Sequence, residues 1–316
     1  MPALHNIKRA AVIGLGTMGP GIVATLASGG ISVSAYDADE EARGQADDKI
    51  KVARKVLQSL GAGQDIRTDI TLTSSLQECV SNADLVIETI PENLELKVAL
   101  FRELELIVSQ DCILASDSSG IPVSQLQEGA IKPSRFVGMH WSNPPHIIPM
   151  IEVIAGKSTS PDVVEAMTTC IRRLKLIPVV VKKDIPGFVE NRVLYALLRE
   201  CIDLVDHGVI DAKDLDTCVS WGIGYKLAVI GPMALLDMAG LDIYEAVGSY
   251  LNKDLCDRSD VSDMIRGKVI SGNLGMKTGQ GIYAYSQEEI ESLRKRRAKL
   301  LVDARKVLDG ATDPSG

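Results

Sequence analysis

The sequence predicts an α/β fold: an N-terminal doubly wound, Rossmann-type parallel sheet followed by a C-terminal all-helical domain. Three observations carry this. Short apolar runs alternate with amphipathic helical stretches through the first half of the chain. The first run ends in a glycine-rich turn. After Lys183, helical periodicity alone continues to the end.

In chain order, strands are predicted at 10–14, 32–37, 85–88, 112–116 and 136–140, with shorter candidates at 70–73, 152–154 and 178–181. Helices are predicted at 20–29, 42–60, 96–108 and 161–174; over 42–60, Ile50, Ala53, Val56 and Leu57 fall on one face. Residues 184–187 form a turn-rich break. Helices follow at 188–207, 211–221, 232–251, 261–271 and 287–308, with a glycine-rich loop at 272–281. The domain boundary is placed at Lys183, giving a nucleotide-binding domain over 1–183 and a helical domain for substrate and dimerisation over 184–316.

Bulk properties narrow the function. A chain of 316 residues, 46% hydrophobic and 24% charged, buries enough surface to fold without a metal or disulfides. The net charge of −8 and the 4% of aromatic residues argue against nucleic acid as a partner. Cys79, Cys112, Cys170, Cys201, Cys218 and Cys256 are far apart and make no metal-ligand spacing, so no metal is expected. They read as reduced thiols of a cytoplasmic protein. No apolar run is long enough for a membrane span, because Gly14, Gly16, Gly19, Pro20 and Gly21 interrupt the N-terminal one.

The run Ala11-Val12-Ile13-Gly14-Leu15-Gly16-Thr17-Met18-Gly19 fits G-x-G-x-x-G directly after a strand. Gly14 permits the tight turn, Gly16 lets backbone approach a pyrophosphate, and Gly19 lets the helix pack close to the sheet. The helix N-terminus then offers free N–H groups to phosphate. Asp37 ends the second strand, 18 residues after Gly19. A carboxylate there accepts from a ribose 2′-hydroxyl and repels a 2′-phosphate, so the cofactor expected is NAD rather than NADP.

Transfer of hydride from a carbinol carbon needs a base that titrates near neutrality, which favours histidine. The four candidates are His5, His140, His146 and His207. His5 lies in a terminal segment, and His207 ends a helix beside Gly208, where a dipole role explains it. His140 closes a strand, where doubly wound sheets place ligands, and His146 shares its loop. Glu152 stands in the apolar run Met150-Ile151-Glu152-Val153-Ile154, a costly place for a carboxylate without a partner. An imidazole would satisfy it and gain orientation and basicity in return.

The chain resembles the 3-hydroxyacyl-CoA dehydrogenase family over nearly its full length. The resemblance is carried by GLGTMG (14–19), IETIPENLELK (87–97), ASDSSG (115–120), GMHWSNPP (138–145), IEVI (151–154), PGFVENR (186–192), GPMALLDMAGLD (231–242) and KTGQGIY (277–283). It implies that His140 is the base and Glu152 its orienting partner. It implies further that Ser119 and Asn191 hydrogen-bond the substrate oxygen, and that Glu92, Lys97, Ser119 and Asn143 lie near the nicotinamide half of NAD. A homodimer through the helical domain is expected on the same ground, and the active site is expected in the cleft between the domains, since ligand sites favour domain interfaces and switch points.

Departures from the family pattern fall on the substrate side. Trp141 and Ser142 stand where two aromatics usually follow the histidine, Pro149 replaces a lysine, and Asp117 replaces an asparagine. Two enzymatic readings stay open. One is NAD-linked oxidation of a short 3-hydroxyacyl-CoA or β-hydroxy acid. The other is oxidation of a pyridine carbaldehyde to its carboxylate, as in a branch of the family that serves vitamin B6 degradation and that residues 140–156 resemble. A non-catalytic nucleotide-binding relative is the third reading, and the intact His140 and Glu152 argue against it.

Overall fold

The computed structural model describes residues 7–62 and 69–311. His5 lies outside the described residues. The first part of the chain is organised by an eight-stranded sheet in the order β3-β2-β1-β4-β5-β6-β7-β8. These strands are β1 (Arg9–Ile13), β2 (Ser32–Tyr36), β3 (Ile70–Leu72), β4 (Leu85–Glu88), β5 (Ile113–Ser116), β6 (Phe136–Trp141), β7 (Met150–Ile154) and β8 (Ile177–Val181). The helices between them are α1 (Gly19–Ser28), α2 (Glu40–Ser59), α3 (Leu76–Val80), α4 (Leu94–Ile107), α5 (Val123–Leu126) and α6 (Pro161–Arg173).

The central strands are apolar on both faces because helices cover both. Along β1, Ala10 and Val12 join one core with Ile22, Leu26 and Ile50 from α1 and α2. Ala11 and Ile13 join the other, with Phe101 and Leu104 from α4. Strands β1 to β6 are all parallel, and the order reverses direction at β1, between β2 and β4. The crevice at that reversal is where such sheets hold ligands.

The sheet departs from the expected uniform direction at its last two strands: β7 runs antiparallel to β6, and β8, parallel to β7, keeps the reversed direction. The reason is loop length. Only residues 142–149 separate β6 from β7, too few for the crossover that parallel neighbours need. Helix α6 provides such a crossover between β7 and β8.

The backbone divides into two compact units, one reaching Arg192 and including Leu301–Lys306, the other holding Val193–Leu300 and residues from Val307 on. The remaining helices are α7 (Glu190–Asp206), α8 (Ala212–Thr217), α9 (Tyr225–Leu227), α10 (Pro232–Ala239), α11 (Leu241–Asp254), α12 (Asp263–Ile270) and α13 (Gln287–Ala311). Two of them refine the sequence reading. The helix expected over 232–251 breaks at Gly240, whose φ of 101° lies outside helical space. The helix expected over 211–221 passes from α8 into a π-helical run, Cys218–Gly224. Among the described residues no single helix is long and apolar enough to cross a membrane.

Candidate active site

The glycine turn after β1 is built to a close tolerance. Gly14 has φ 102°, and a Cβ on it would stand 2.7 Å from the Thr89 carbonyl oxygen. A Cβ on Gly19 would stand 1.9 Å from the Gly14 carbonyl oxygen, so α1 can pack here only without a side chain. A Cβ on Gly16 would meet nothing within 4 Å. That open space over the backbone, at the N-terminal end of α1, fits a dinucleotide's pyrophosphate. Asp37 closes the turn from the end of β2: one carboxylate oxygen accepts from the Leu15 N–H at 2.6 Å and the other from the Asp39 N–H at 2.9 Å.

At the ends of β4 and β5 lies a buried polar cluster. Glu88 is fully enclosed and accepts from Lys97 Nζ at 2.5 Å, Ser116 Oγ at 2.6 Å and the Ile90 N–H at 2.8 Å. Burial pushes its carboxyl upward against the pull of Lys97 and these hydrogen bonds. Lys97 is 1% exposed, so it is a buried partner of Glu88 and not a solvated helix charge. It also donates to the Ile90 carbonyl and approaches Glu92 Oε2 at 3.5 Å.

Glu92 gathers the loop after β5. Its Oε1 accepts from Ser118 Oγ at 2.6 Å and from the backbone N–H groups of Ser119, Gly120 and Ile121. Ser119 is exposed, and its carbonyl accepts from Asn191 Nδ2 at 2.8 Å. Ser119 and Asn191, named only through the family resemblance, are thus adjacent. Asn143 is exposed in the loop after β6.

His140 and Glu152 are direct register partners across the antiparallel β6–β7 pair, so their side chains share a face. The His140 Nδ1–Glu152 Oε2 distance is 2.8 Å. The His140 side chain is 7% exposed and that of Glu152 1%. With Nδ1–H donated to Glu152, Nε2 is left to exchange a proton with a substrate. The second oxygen of Glu152, Oε1, accepts from the N–H groups of Val189 and Glu190 at 3.0 and 3.1 Å. The turn that aims them is left-handed at two successive residues, Gly187 (φ 77°) and Phe188 (φ 48°). Positive φ at a buried phenylalanine is a strained conformation, held here where the ring packs 5.8 Å from His140.

Burial alone would lower the basicity of His140. The hydrogen bond to Glu152 and the charges of Asp117, Glu152 and Glu190 outweigh it, so the ring titrates above its ordinary value. Glu152 titrates below the usual carboxylate range: burial opposes this, and the His140 and backbone hydrogen bonds prevail. Asp117 is pushed up to about 8 by burial, although its Oδ1 accepts from the Trp141 N–H at 2.8 Å.

Sequence reasoning left two acids out of the site. Glu88 ends an apolar strand, the same signal that singled out Glu152. Glu190 opens α7 and lies with its Oε2 2.6 Å from Ser142 Oγ, which donates to it. A ring nitrogen of His140 and one oxygen each from Glu152 and Glu190 lie within 4.8 Å of one another. His146 faces elsewhere: a Cβ on Gly21 would stand 3.0 Å from its Nδ1, which places the ring against α1, and burial lowers its pKa.

Comparison with known proteins places the chain in a family. Residues 9–185 match the NAD-binding domain of 3-hydroxyacyl-CoA dehydrogenases, and residues 187–285 match their C-terminal domain. The chain belongs to the 3-hydroxyacyl-CoA dehydrogenase family and is an NAD-dependent dehydrogenase. It is 54% identical to the 5-formyl-3-hydroxy-2-methylpyridine 4-carboxylate 5-dehydrogenase of Mesorhizobium japonicum, over 96% of this chain and 99% of that one. A solved structure of a dehydrogenase of that name, described as an NAD+ dependent dismutase, superposes with a TM-score of 0.94 at 54% identity, covering 96% of this chain and 99% of that chain. The (S)-3-hydroxybutyryl-CoA dehydrogenase of Ralstonia eutropha is more distant, with a TM-score of 0.71 at 30% identity over 89% of this chain and 100% of that one.

Proposed function

We propose that this dehydrogenase oxidises a pyridine carbaldehyde of the 5-formyl-3-hydroxy-2-methylpyridine 4-carboxylate type to the carboxylate, with NAD. The observation that carries the reading is the 54% identity to a dehydrogenase of that name over nearly the whole of both chains. The thioester alternative has weaker support. One candidate cationic patch for a CoA phosphate, Lys49, Lys51, Arg54 and Lys55 on the helix over 42–60, has its Lys51 Nζ 2.5 Å from Asp47 Oδ2 and 3.7 Å from Asp48 Oδ1.

Gly14, Gly16 and Gly19 hold the pyrophosphate and Asp37 the adenosine ribose in this reading. Glu92, Lys97, Ser119 and Asn143 surround the nicotinamide half. NAD, when bound, accepts the hydride. The aldehyde enters as its hydrate, and the hydroxyl facing His140 lies among Ser119 Oγ, Asn191 and His140 Nε2. His140 takes the proton of that hydroxyl as the carbon loses hydride, and Glu152 stabilises the imidazolium that forms. No thiol nucleophile is needed: Cys79, Cys112 and Cys170 are buried, with burial raising their pKa, the first two to about 12. In dismutation a second aldehyde is reduced at the same site, and His140 returns the proton it took.

The proposal extends to assembly: residues 1–183 bind NAD, 184–316 serve substrate binding and dimerisation, and the protein is a cytoplasmic homodimer. The support for a partner copy is that α7 to α12 contain no buried residue in the single chain.

The test is a product balance. Purified protein, excess aldehyde and a small fraction of one equivalent of NAD should give carboxylate and alcohol in equal amounts, well beyond the NAD supplied. No turnover of the aldehyde would overturn the reading.

A further inference from the structure

Oxidation of an aldehyde hydrate sets a problem that oxidation of a simple alcohol does not. The reacting carbon carries two hydroxyl groups. One gives its proton to the base as hydride leaves for the nicotinamide. The other ends as the acid hydroxyl of RCOOH and must lose its proton to give the carboxylate. One histidine serves only one of these hydroxyls.

A second acceptor stands beside it. Glu190 Oε2 is hydrogen-bonded by Ser142 Oγ at 2.6 Å, and Ser142 is buried on the loop that follows His140 by two residues. One Glu190 carboxylate oxygen lies within 4.8 Å of both a ring nitrogen of His140 and an oxygen of Glu152. The ordinary explanation of an acid in the first turn of a helix is capping of free N–H groups. Here the N–H groups of Val189 and Glu190 are already taken by Glu152 Oε1, and the Glu190 side chain turns to Ser142. Glu190 is partly exposed, so its remaining lone pairs are open to a ligand.

We propose that Glu190, with the Ser142 hydroxyl it holds, is the seat for the second hydroxyl of the aldehyde hydrate. This rests on the aldehyde reading above. The carboxylate accepts a hydrogen bond from that hydroxyl and orients the hydrate so that its other hydroxyl meets His140. His140 takes the first proton, the C–H bond breaks with its electron pair passing to NAD as hydride, and RCOOH forms. The second proton then passes to Glu190 and on to solvent. Reduction of an aldehyde to an alcohol consumes one hydride and one proton, which His140 supplies, and leaves no second hydroxyl for Glu190 to hold.

The two half-reactions therefore separate the role from mere packing. In Glu190→Gln, kcat/KM for NAD-dependent aldehyde oxidation should fall about ten- to a hundredfold, as for loss of a hydrogen bond to a charged group. NADH-dependent reduction of the same aldehyde should fall at least tenfold less. Glu190→Asp should recover part of the oxidation. Ser142→Ala should show the same split to a smaller degree, and it serves as the test if Glu190→Gln fails to fold. An equal loss in both directions, or no loss of oxidation, overturns the role of Glu190 while leaving the aldehyde reading intact. Wild-type protein that oxidises no aldehyde overturns both.

Discussion

At the scale of single residues, two neighbours have pKa values that move for different reasons. His140 titrates above its ordinary value because the Glu152 hydrogen bond and surrounding carboxylates outweigh burial, whereas Asp117 is pushed up to about 8 chiefly by burial. Oxidation needs the neutral imidazole, so kcat/KM should rise with pH along a limb placed above the ordinary histidine value of 6.5. That limb belongs to the coupled pair rather than to one group. Removing the Asp117 charge with Asp117→Asn should move it to lower pH; an unmoved limb would detach Asp117 from the site's titration.

The same substitution has a stability consequence. Unfolded Asp117 loses its proton near 3.8, while the folded carboxyl keeps it up to about 8. Between these values the native state binds more protons, so this group's contribution to stability declines as pH rises, by at most ~1.4 kcal/mol per pH unit. Asparagine keeps an acceptor for the Trp141 N–H and has no such loss. The Tm advantage of Asp117→Asn over wild type should grow from pH 5 to pH 8. A pH-independent difference would contradict the shift.

His140→Ala should lower kcat by about 10²–10⁴-fold, the usual share of a general base, with NAD affinity nearly unchanged. Glu152→Gln should cost a similar or smaller factor and His146→Ala much less, because His146 packs against α1. Kinetics of the three variants, with NAD binding measured separately, checks the assignment; a larger loss in His146→Ala would reverse it. His140 and Glu152 were legible because a lone carboxylate in an apolar strand demands a partner. Glu88 sends the same signal, but its partner Lys97 looks like a surface helix charge until α4 is laid on the sheet. Glu190 gives none, since an acid at a helix start is ordinary. Ser119 and Asn191 were named only through the family's motifs.

At the scale of elements, α1 joins the two halves of the site. Its first residue, Gly19, packs on the glycine turn, where a Cβ would stand 1.9 Å from the Gly14 carbonyl oxygen, and Gly21 meets the loop after β6, where a Cβ would stand 2.7 Å from Pro145 Cγ. Thr25 Oγ1 donates to the Gly21 carbonyl at 2.8 Å and reaches the Pro145 carbonyl at 3.4 Å. Gly19→Ala should therefore do two kinds of damage. Its Cβ meets backbone, which cannot swing away, so about 1–3 kcal/mol of stability should be lost, and NAD affinity should weaken tenfold or more as the turn shifts. Thermal unfolding and an NAD titration check both, and wild-type values in both would show that the turn is not constrained as described. The strands and the glycine turn were legible because period and composition are local. The direction of β7 was not read from its apolar pattern, which is the same either way; the short loop before it held that information. The break at Gly240 was hidden for a similar reason, since the flanking residues keep helical spacing across it.

At the scale of the whole molecule, the helical part of the chain exposes apolar side chains that a monomer has no use for. Trp221 is 73% exposed and Met233 69%. A second copy covering them would bury an apolar surface of the kind obligate dimers share. Light scattering at micromolar concentration should give twice the mass of 34.0 kDa, and a monomer at that concentration would refute the assembly. The chemistry proposed for His140 and its partner Glu152 is oxidation of an aldehyde hydrate. Its most direct test is a side-by-side measurement of kcat/KM, followed by NADH absorbance, for 5-formyl-3-hydroxy-2-methylpyridine 4-carboxylate and for (S)-3-hydroxybutyryl-CoA. The aldehyde should be preferred by a hundredfold or more, on the order of 3 kcal/mol in transition-state binding. A preference for the thioester would contradict it.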